Sequence, residues 1–491
     1  MLWLRPGELC VLIAYACLVF ACVPFHEPWA DEAQAWLLAR DLSLPSLLFH
    51  YLRREGHPAL WYLLLWGPAH LHVSYAVLNW ISALIALGGI WVLLRLAPFP
   101  FYLRALLPFT FFLGYQYAVV ARSYVLFPLL SFLAAHFYRR RKPMSVAIAL
   151  GLLANVSLHG AIVAMAFAAA YWIAARRSPG RLTSKPALVF AAFVLFAAIC
   201  IWPTLGSLPR VGPTLNRIVD RLSFGPHSTA PPPVAVSHEN AGAPALAVSA
   251  EPLPGRDKLA NAPSVLSLGV AHPWPVALAF ELLVAAWLIW RRQPALLLAP
   301  VCLALFLIFV YAAEWHMGLL WVALLMVLWA AWDTPAEESR IHAACARRFD
   351  LQCIVTGVLT VLCVLQLPWT FHAFAYDFRE AASPNPATAA YIKTLPAGTR
   401  IAGFGRSVGI EPYFPNNILL NQRVTFGNSG LKMYFDPEDA RARGIQIVVT
   451  DQFQAAIEAA GYRETHEFCG RLYFPYVHLQ RHCLGIFELP R

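Results

Sequence analysis

The stretch VSYAVLNWISALIALGGIWVLL, Val73 to Leu94, carries no charged residue in 22 positions and ends against Arg95. A helix rises about 1.5 Å per residue, so a run of this length can cross a hydrocarbon core of about 30 Å. Outward from it lie ten further apolar runs: Leu9–Phe25, Leu103–Val120, Tyr124–Tyr138, Pro143–Leu158, Ala161–Ala175, Pro186–Leu205, Pro273–Trp290, Pro294–Ala313, Met317–Trp332 and Leu351–Phe371. The whole chain is 59% hydrophobic and 13% charged. Soluble domains run near 25% charged. The charge is missing from the apolar runs, where bilayer solvent makes it costly, and many of the 17 Trp stand at run ends, as in interfacial belts. This composition predicts an α-helical polytopic membrane protein of about eleven spans. The first run is read as an uncleaved span, because only Arg5 precedes it and no small-residue cleavage site follows cleanly.

Charge sets the direction of the chain. Pro58–Leu71 is apolar over only 14 residues, below spanning length. With that run re-entrant or lying in the interface and the N-terminus in the cytoplasm, Arg95/Arg104, Arg139–Lys142, Arg176–Lys185, Arg291/Arg292 and the loop Glu337–Arg348 all fall inside. Every short basic loop then obeys the positive-inside rule. Were the run to span, Arg139–Lys142 and several later clusters would move outside. The net charge of +10 therefore reads as topology and contact with membrane lipids, and no nucleic-acid partner is expected.

Three segments fall outside. The first is the loop 26–57, continuing through the interfacial run to residue 72. The second, 206–272, is rich in Pro, Ala, Ser and Gly and reads as a flexible loop with a short helix around Pro213–Phe224. The third, 372–491, departs from the apolar pattern. Short runs at Arg400–Phe404, Ile445–Thr450 and Leu472–Val477 alternate with Gly, Pro and Asn, and Asp451–Gly461 reads as a helix. This predicts a small α/β extracytoplasmic domain behind a transmembrane domain of residues 1–371. Of the 10 Cys, only Cys469 and Cys483 fall in that polar domain. An oxidising compartment favours a disulfide between them. No Cys/His cluster has metal-site spacing, so no structural metal or other cofactor is expected, and use of a divalent metal stays open.

The first outer loop reads His26-Glu27-Pro28-Trp29-Ala30-Asp31-Glu32, and later Glu55-Gly56-His57-Pro58-Ala59-Leu60-Trp61-Tyr62. With its Asp-Glu pair soon after the first span and its His-Pro segment in the same loop, the chain resembles the GT-C superfamily of membrane glycosyltransferases. The likeness is to the protein-mannosyltransferase-like and Rgt-like branch (glycosyltransferase families 39 and 83). It extends over the spans to about Trp332 and to a C-terminal outer domain. Three further corners fit: Arg122-Ser123-Tyr124, His159 and Glu314-Trp315-His316. Two depart from the pattern, since Tyr124 stands where some relatives carry an acid, and Trp315 where relatives often carry Arg.

The resemblance implies transfer of a sugar from a polyprenyl-phosphate donor to an acceptor glycan, lipid or protein, with inversion, at the outer face of a bacterial-type inner (plasma) membrane. Asp31 is then the general base, with Glu32 beside it. Arg122, Tyr124, His57, His159 and His316 become the donor-phosphate groups, because a guanidinium fork suits phosphate. Plainer readings exist for each. Asp31 with Gln34 has capping-box spacing; Glu32 suits a solvated first-turn acid; Arg122 suits an interfacial anchor; the histidines suit turn or span-end positions. Two other functions compete: a transporter or flippase of lipid-linked intermediates, and a non-catalytic envelope assembly protein.

Overall fold

The structure is a computed structural model that describes residues 3–52, 55–176, 184–207, 267, 269–311, 313–332, 351–421, 435–475 and 480–490. The predicted helix at Pro213–Phe224, most of the loop around it and the basic loop Glu337–Arg348 lie outside the described residues.

The N-terminal part is a helical bundle. Its helices are α1 (Pro6–Cys22), α2 (Ala30–Asp41), α3 (Leu60–His70), α4 (Val77–Leu96), α5 (Phe101–Leu106), α6 (Leu126–Arg139) and α7 (Pro143–Ala154). There follow α8 (Leu158–Arg176), α9 (Ser184–Ser207), α10 (Trp274–Trp290), α11 (Leu298–Phe309), α12 (Met317–Ala331) and α13 (Leu351–Asp377). Pro6 and Pro143 stand in the first turn of α1 and α7, where a missing N–H costs nothing. Among the described residues, five helices are long and apolar enough to cross a membrane: α4, α8, α9, α12 with its leading turn, and α13. Helix α12 is buried along its whole length and forms the bundle's axis. Gly318 in its first turn admits the ring of Phe112, which a Cβ there would overlap.

The bundle has two distinguishable ends. At one, Arg104 bonds Glu8 at 2.6 Å and the carbonyl of Leu94. There too Arg139 reaches the carbonyl of Trp329 at 3.5 Å, and Phe99 packs on Trp332. The other end carries the C-terminal domain.

Two segments differ from a plain up-and-down pattern. Helix α3 starts and finishes at the domain-bearing end. Leu60 N donates to the carbonyl of Asn155 (3.2 Å), and Trp66 Nε1 to that of Leu42 (3.1 Å). Just past its C-terminus Tyr75 meets Trp36 and Tyr413, so α3 lies along α2. The second is the predicted continuous span Leu103–Val120. It is broken into α5, a 3-10 turn at Leu107–Phe109 and a π turn at Phe112–Gln116. Pro108 supplies no N–H to continue a helix. The freed carbonyls find partners inside the bundle: Tyr15 Oη donates to that of Leu113 (2.8 Å) and Thr370 Oγ1 to that of Phe109 (2.7 Å).

Helix α13 runs past the predicted end at Phe371 to Asp377 and leads into the C-terminal domain. That domain has helices α14 (Asn385–Ile392), α15 (Pro437–Ala442) and α16 (Gln454–Ala459), and strands β1 (Ile401–Gly403), β2 (Ile447–Thr450), β3 (Arg463–Leu472) and β4 (Gln480–Glu488). The sheet order is β1-β2-β4-β3, with β1 and β2 parallel and the rest antiparallel. Val448 and Phe487 face one core, Val449 and Ile486 the other, as strand alternation requires. Cys469 and Cys483 are register partners across β3 and β4 and are disulfide-bonded, with Cα atoms 4.0 Å apart. The strand expected at Leu472–Val477 lies earlier in the chain. Tyr473 and Phe474 instead return to the bundle and pack on Phe111 and Trp315.

The domain grips α2 and the turn before it. Ser383 N donates to Glu27 Oε2 (3.0 Å), Asn385 Nδ2 to the carbonyl of Pro28 (3.1 Å), Arg40 Nη1 to that of Phe414 (2.9 Å), and Asn417 Nδ2 to Asp41 Oδ2 (2.8 Å). Val408 packs on Ala30 and Leu37.

Candidate functional site

Helix α2 begins at Ala30, with Trp29 as its cap. The capping reading of Asp31 therefore does not describe it. The acid that reaches back is Glu32, whose Oε2 accepts from Trp29 N at 3.1 Å. Asp31, one residue earlier, turns aside and pairs with the guanidinium of Arg122. Both side chains keep some exposure, 12% and 16%, so the pair is reachable from solvent. Arg122 is in extended conformation just before a 3-10 turn, Ser123–Val125, that opens α6.

Around this pair the structure gathers the other residues singled out in the sequence. His57 Nδ1 lies 3.3 Å from Ser123 Oγ, and its ring stands 5.5 Å from that of Tyr124. Tyr124 Oη is 2.7 Å from His316 Nε2. Ala313 N donates to His316 Nδ1 (3.2 Å), which assigns the ring hydrogen to Nε2 and makes Tyr124 Oη its acceptor. Tyr124 also bonds Arg122. With both of these groups donating to it, the phenol oxygen keeps its own hydrogen for a third partner. His159 lies 4.3 Å from the His316 ring, is 4% exposed, and its Nε2 has no hydrogen-bond partner among the described residues. Six groups from five chain segments thus share one corner: Asp31, Arg122 and His57, each slightly exposed, above a buried floor of Tyr124, His159 and His316.

One member of this corner went unread in the sequence. Glu55 accepts from Gln34 Nε2 (2.6 Å) and Tyr62 Oη (3.4 Å). Burial pushes its carboxyl up to about 7, against the opposing pull of the Arg122 charge and the Gln34 bond. Its position two residues before His57 was the only signal. For His57, burial and then the charge of Arg122 press the imidazole down to about 3, so it is neutral and can accept.

Glu32 belongs elsewhere. It is fully buried, not solvated as its place in the first turn suggested. Its Oε1 accepts from Ala121 N (2.7 Å) and Asn79 Nδ2 (3.3 Å), and its Oε2 faces His26 at 3.4 Å. His26 Nδ1 meets Asp377 at 3.0 Å, and Tyr115 Oη donates to Asp377 at 2.8 Å. Burial alone would lower the His26 pKa; the flanking Glu32 and Asp377 carboxylates outweigh it and raise it to about 10. This buried network ties the start of α2, the residue before Arg122 and the end of α13 together. It fixes where Asp31 and Arg122 meet. Trp315, between Trp29 and Phe474, is a packing residue. Asp41 pairs with Arg40 at 2.6 Å on the domain interface.

No protein-family model and no curated protein matches this sequence.

Proposed function

We propose that this chain is an inverting membrane glycosyltransferase that takes a sugar from a polyprenyl-phosphate donor at the outer face of a plasma membrane. The observation that carries the reading is the convergence of Asp31, Arg122, Tyr124, His57, His159 and His316 on one corner at one end of an apolar bundle. Eleven apolar segments running between the bundle ends, an N-terminus in the cytoplasm and an outer C-terminal domain fit this function. Supporting that orientation, Arg104 and Arg139 sit at the end opposite the corner.

In the reaction, the acceptor hydroxyl oxygen attacks the anomeric carbon from the face opposite the phosphate. The bond from that carbon to the phosphate oxygen breaks, and polyprenyl phosphate leaves with the bonding electrons. The acceptor proton passes to the Asp31 carboxylate. Arg122 pairs with Asp31 in the resting site and offers its remaining N–H groups to the phosphate. The Tyr124 hydroxyl donates to the leaving oxygen, and the neutral His57 ring accepts a hydrogen bond without adding charge, while His316 Nε2 donates to Tyr124. Glu32 serves by position, not by contact with the reacting atoms.

A rival reading, transport of a lipid-linked intermediate, draws on Glu281. This residue lies midway along α10, and its Oε1 has no partner among the described residues. A mid-helix carboxylate is the mark of an ion or substrate path, though here it stands alone. Purified protein given a panel of polyprenyl-phosphate sugars and candidate acceptors separates the two. Glycosyltransfer releases free polyprenyl phosphate in step with a glycosylated acceptor. Movement of intact donor across a vesicle membrane with no release would sink the proposal.

A further inference from the structure

A cleft of about 790 Å³ lies between the bundle and the C-terminal domain. Its size falls inside the range of small-ligand sites, roughly 300–1,000 Å³, and domain interfaces are where such sites concentrate. Arg40 lines one wall. It stands nine residues beyond Asp31 on α2, and at about 100° per residue that puts it on the opposite side of the helix. The cleft is therefore separate from the corner described above.

Two features of its lining call for a ligand. Tyr75 and Tyr413 meet edge to face at 5.4 Å, and neither hydroxyl has a hydrogen-bond partner among the described residues, although Tyr75 is only 7% exposed. Buried hydroxyls are seldom left unpaired unless something else completes them. The second feature is aromatic surface at the mouth. Trp80 is 39% exposed, and Phe414 carries the Lys393 ammonium over its ring at 5.3 Å.

Charge chooses the ligand class. Of the cationic groups on the wall, Arg40 is paired with Asp41 at 2.6 Å, His26 is held between Glu32 and Asp377, and Lys393 sits over the Phe414 ring, while Glu27 adds a negative group. These cations are already engaged and do not converge on one point as a phosphate would need. An acyl chain would leave the hydroxyls and the carboxylate desolvated without partners. A neutral polyhydroxy ring answers both features, since its hydroxyls both donate and accept and its C–H face lies flat on an indole. We propose that this cleft binds one or more neutral sugar units, either as a free glycan or as the head of a glycolipid. The inference rests on the glycosyltransferase reading for how the sugar is used, and on the cleft alone for its binding.

The test uses the full-length chain in nanodiscs. Free trisaccharides of glucose, mannose and galactose are titrated, then a synthetic glycolipid bearing the best of them. Tryptophan fluorescence and saturation-transfer NMR report binding. Saturable binding of at least one trisaccharide is expected. Tyr413→Phe, which removes one oxygen and keeps the ring, weakens it roughly two- to tenfold. Trp80→Ala weakens it further, and Asp31→Asn leaves it unchanged. Tighter binding of the glycolipid assigns the ligand to a lipid head; equal binding assigns it to a free glycan. The proposal is overturned if no sugar binds saturably, if both cleft variants bind like the parent, or if inorganic phosphate displaces the sugar. Sugar binding without any transfer activity would remove the enzymatic reading and leave the cleft. Transfer without sugar binding in the cleft would do the reverse.

Discussion

Asp31 and Asn differ by one proton-accepting oxygen, and this makes the residue a sharp test. Asn at position 31 keeps size and helix-start compatibility, and the cap of α2 is made by Trp29 and Glu32 instead. Asp31→Asn is therefore expected to fold like the parent and lose about 10²–10⁴-fold in transfer rate. Parental turnover in that variant would remove Asp31 from the chemistry. Arg122→Lys tests the fork. An ammonium can pair with Asp31 but cannot bind phosphate bidentately, so donor KM should rise while acceptor KM holds, and Arg122→Ala should be worse. Equal effects on both substrates would mark Arg122 as a structural partner of Asp31. Glu55 sets a pH dependence. Its carboxyl is raised to about 7 by burial, so it is mostly neutral below that pH and negative above it. Next to an anionic donor the added charge is unfavourable by about 1 kcal/mol, a factor of roughly five. Donor KM should climb as pH rises through 7, and Glu55→Gln should flatten the climb. An identical profile in that variant would show that Glu55 does not face the donor. The convergence of Asp31, Arg122, Tyr124 and the three histidines had a visible basis in sequence, because the topology read from charge puts all of them on one face. Glu55, His26 and Asp377 had none of comparable strength. Their importance comes from burial against each other and against Arg122, which tertiary packing alone creates.

At the scale of elements, the β3–β4 hairpin depends on a covalent tie. The two strands hold Cys469 opposite Cys483, with 14 residues of sequence separation. A closed loop of that size restricts the unfolded chain by about 3 kcal/mol in the chain-entropy view. The double variant Cys469→Ser/Cys483→Ser should keep the bundle intact and make the hairpin susceptible to protease at temperatures where the parent resists. In the parent, the two thiols should take up alkylating reagent only after reduction. Labelling of both without reductant would show that they are not paired in the native protein. The elements were unevenly readable. The non-spanning reading of α3 rests on length and charge, and the two ends of the helix lie on the same side of the bundle. The break after α5 was written in Pro108 but hidden by the hydropathy of its neighbours. What makes the break tolerable, hydrogen bonds from Tyr15 and Thr370, joins residues far apart in sequence.

The whole molecule has a polarity from which an orientation is predicted. Its first helix starts beside Arg104 at the end opposite the candidate site, and α6 runs from that site to Arg139. The C-terminal domain sits at the other end, against α2. If basic termini face the cytoplasm, as insertion favours, then the N-terminus and the loop after α6 are inside. The C-terminal domain and the Asp31 corner are outside, where a disulfide persists. Reporter fusions read this directly. A fusion after Arg141 should fluoresce as a cytoplasmic reporter and be silent as an exported phosphatase; a fusion after Arg491 should do the opposite. Agreement between the two fusions would change the number of crossings between them by one, and a segment after Arg141 would have to be reassigned, since α3 precedes both fusion points. Both fusions giving answers reversed from those expected would keep the parity of the bundle but turn it over. The Asp31 corner would then face the cytoplasm, and the donor would have to be a lipid-linked sugar presented on that side.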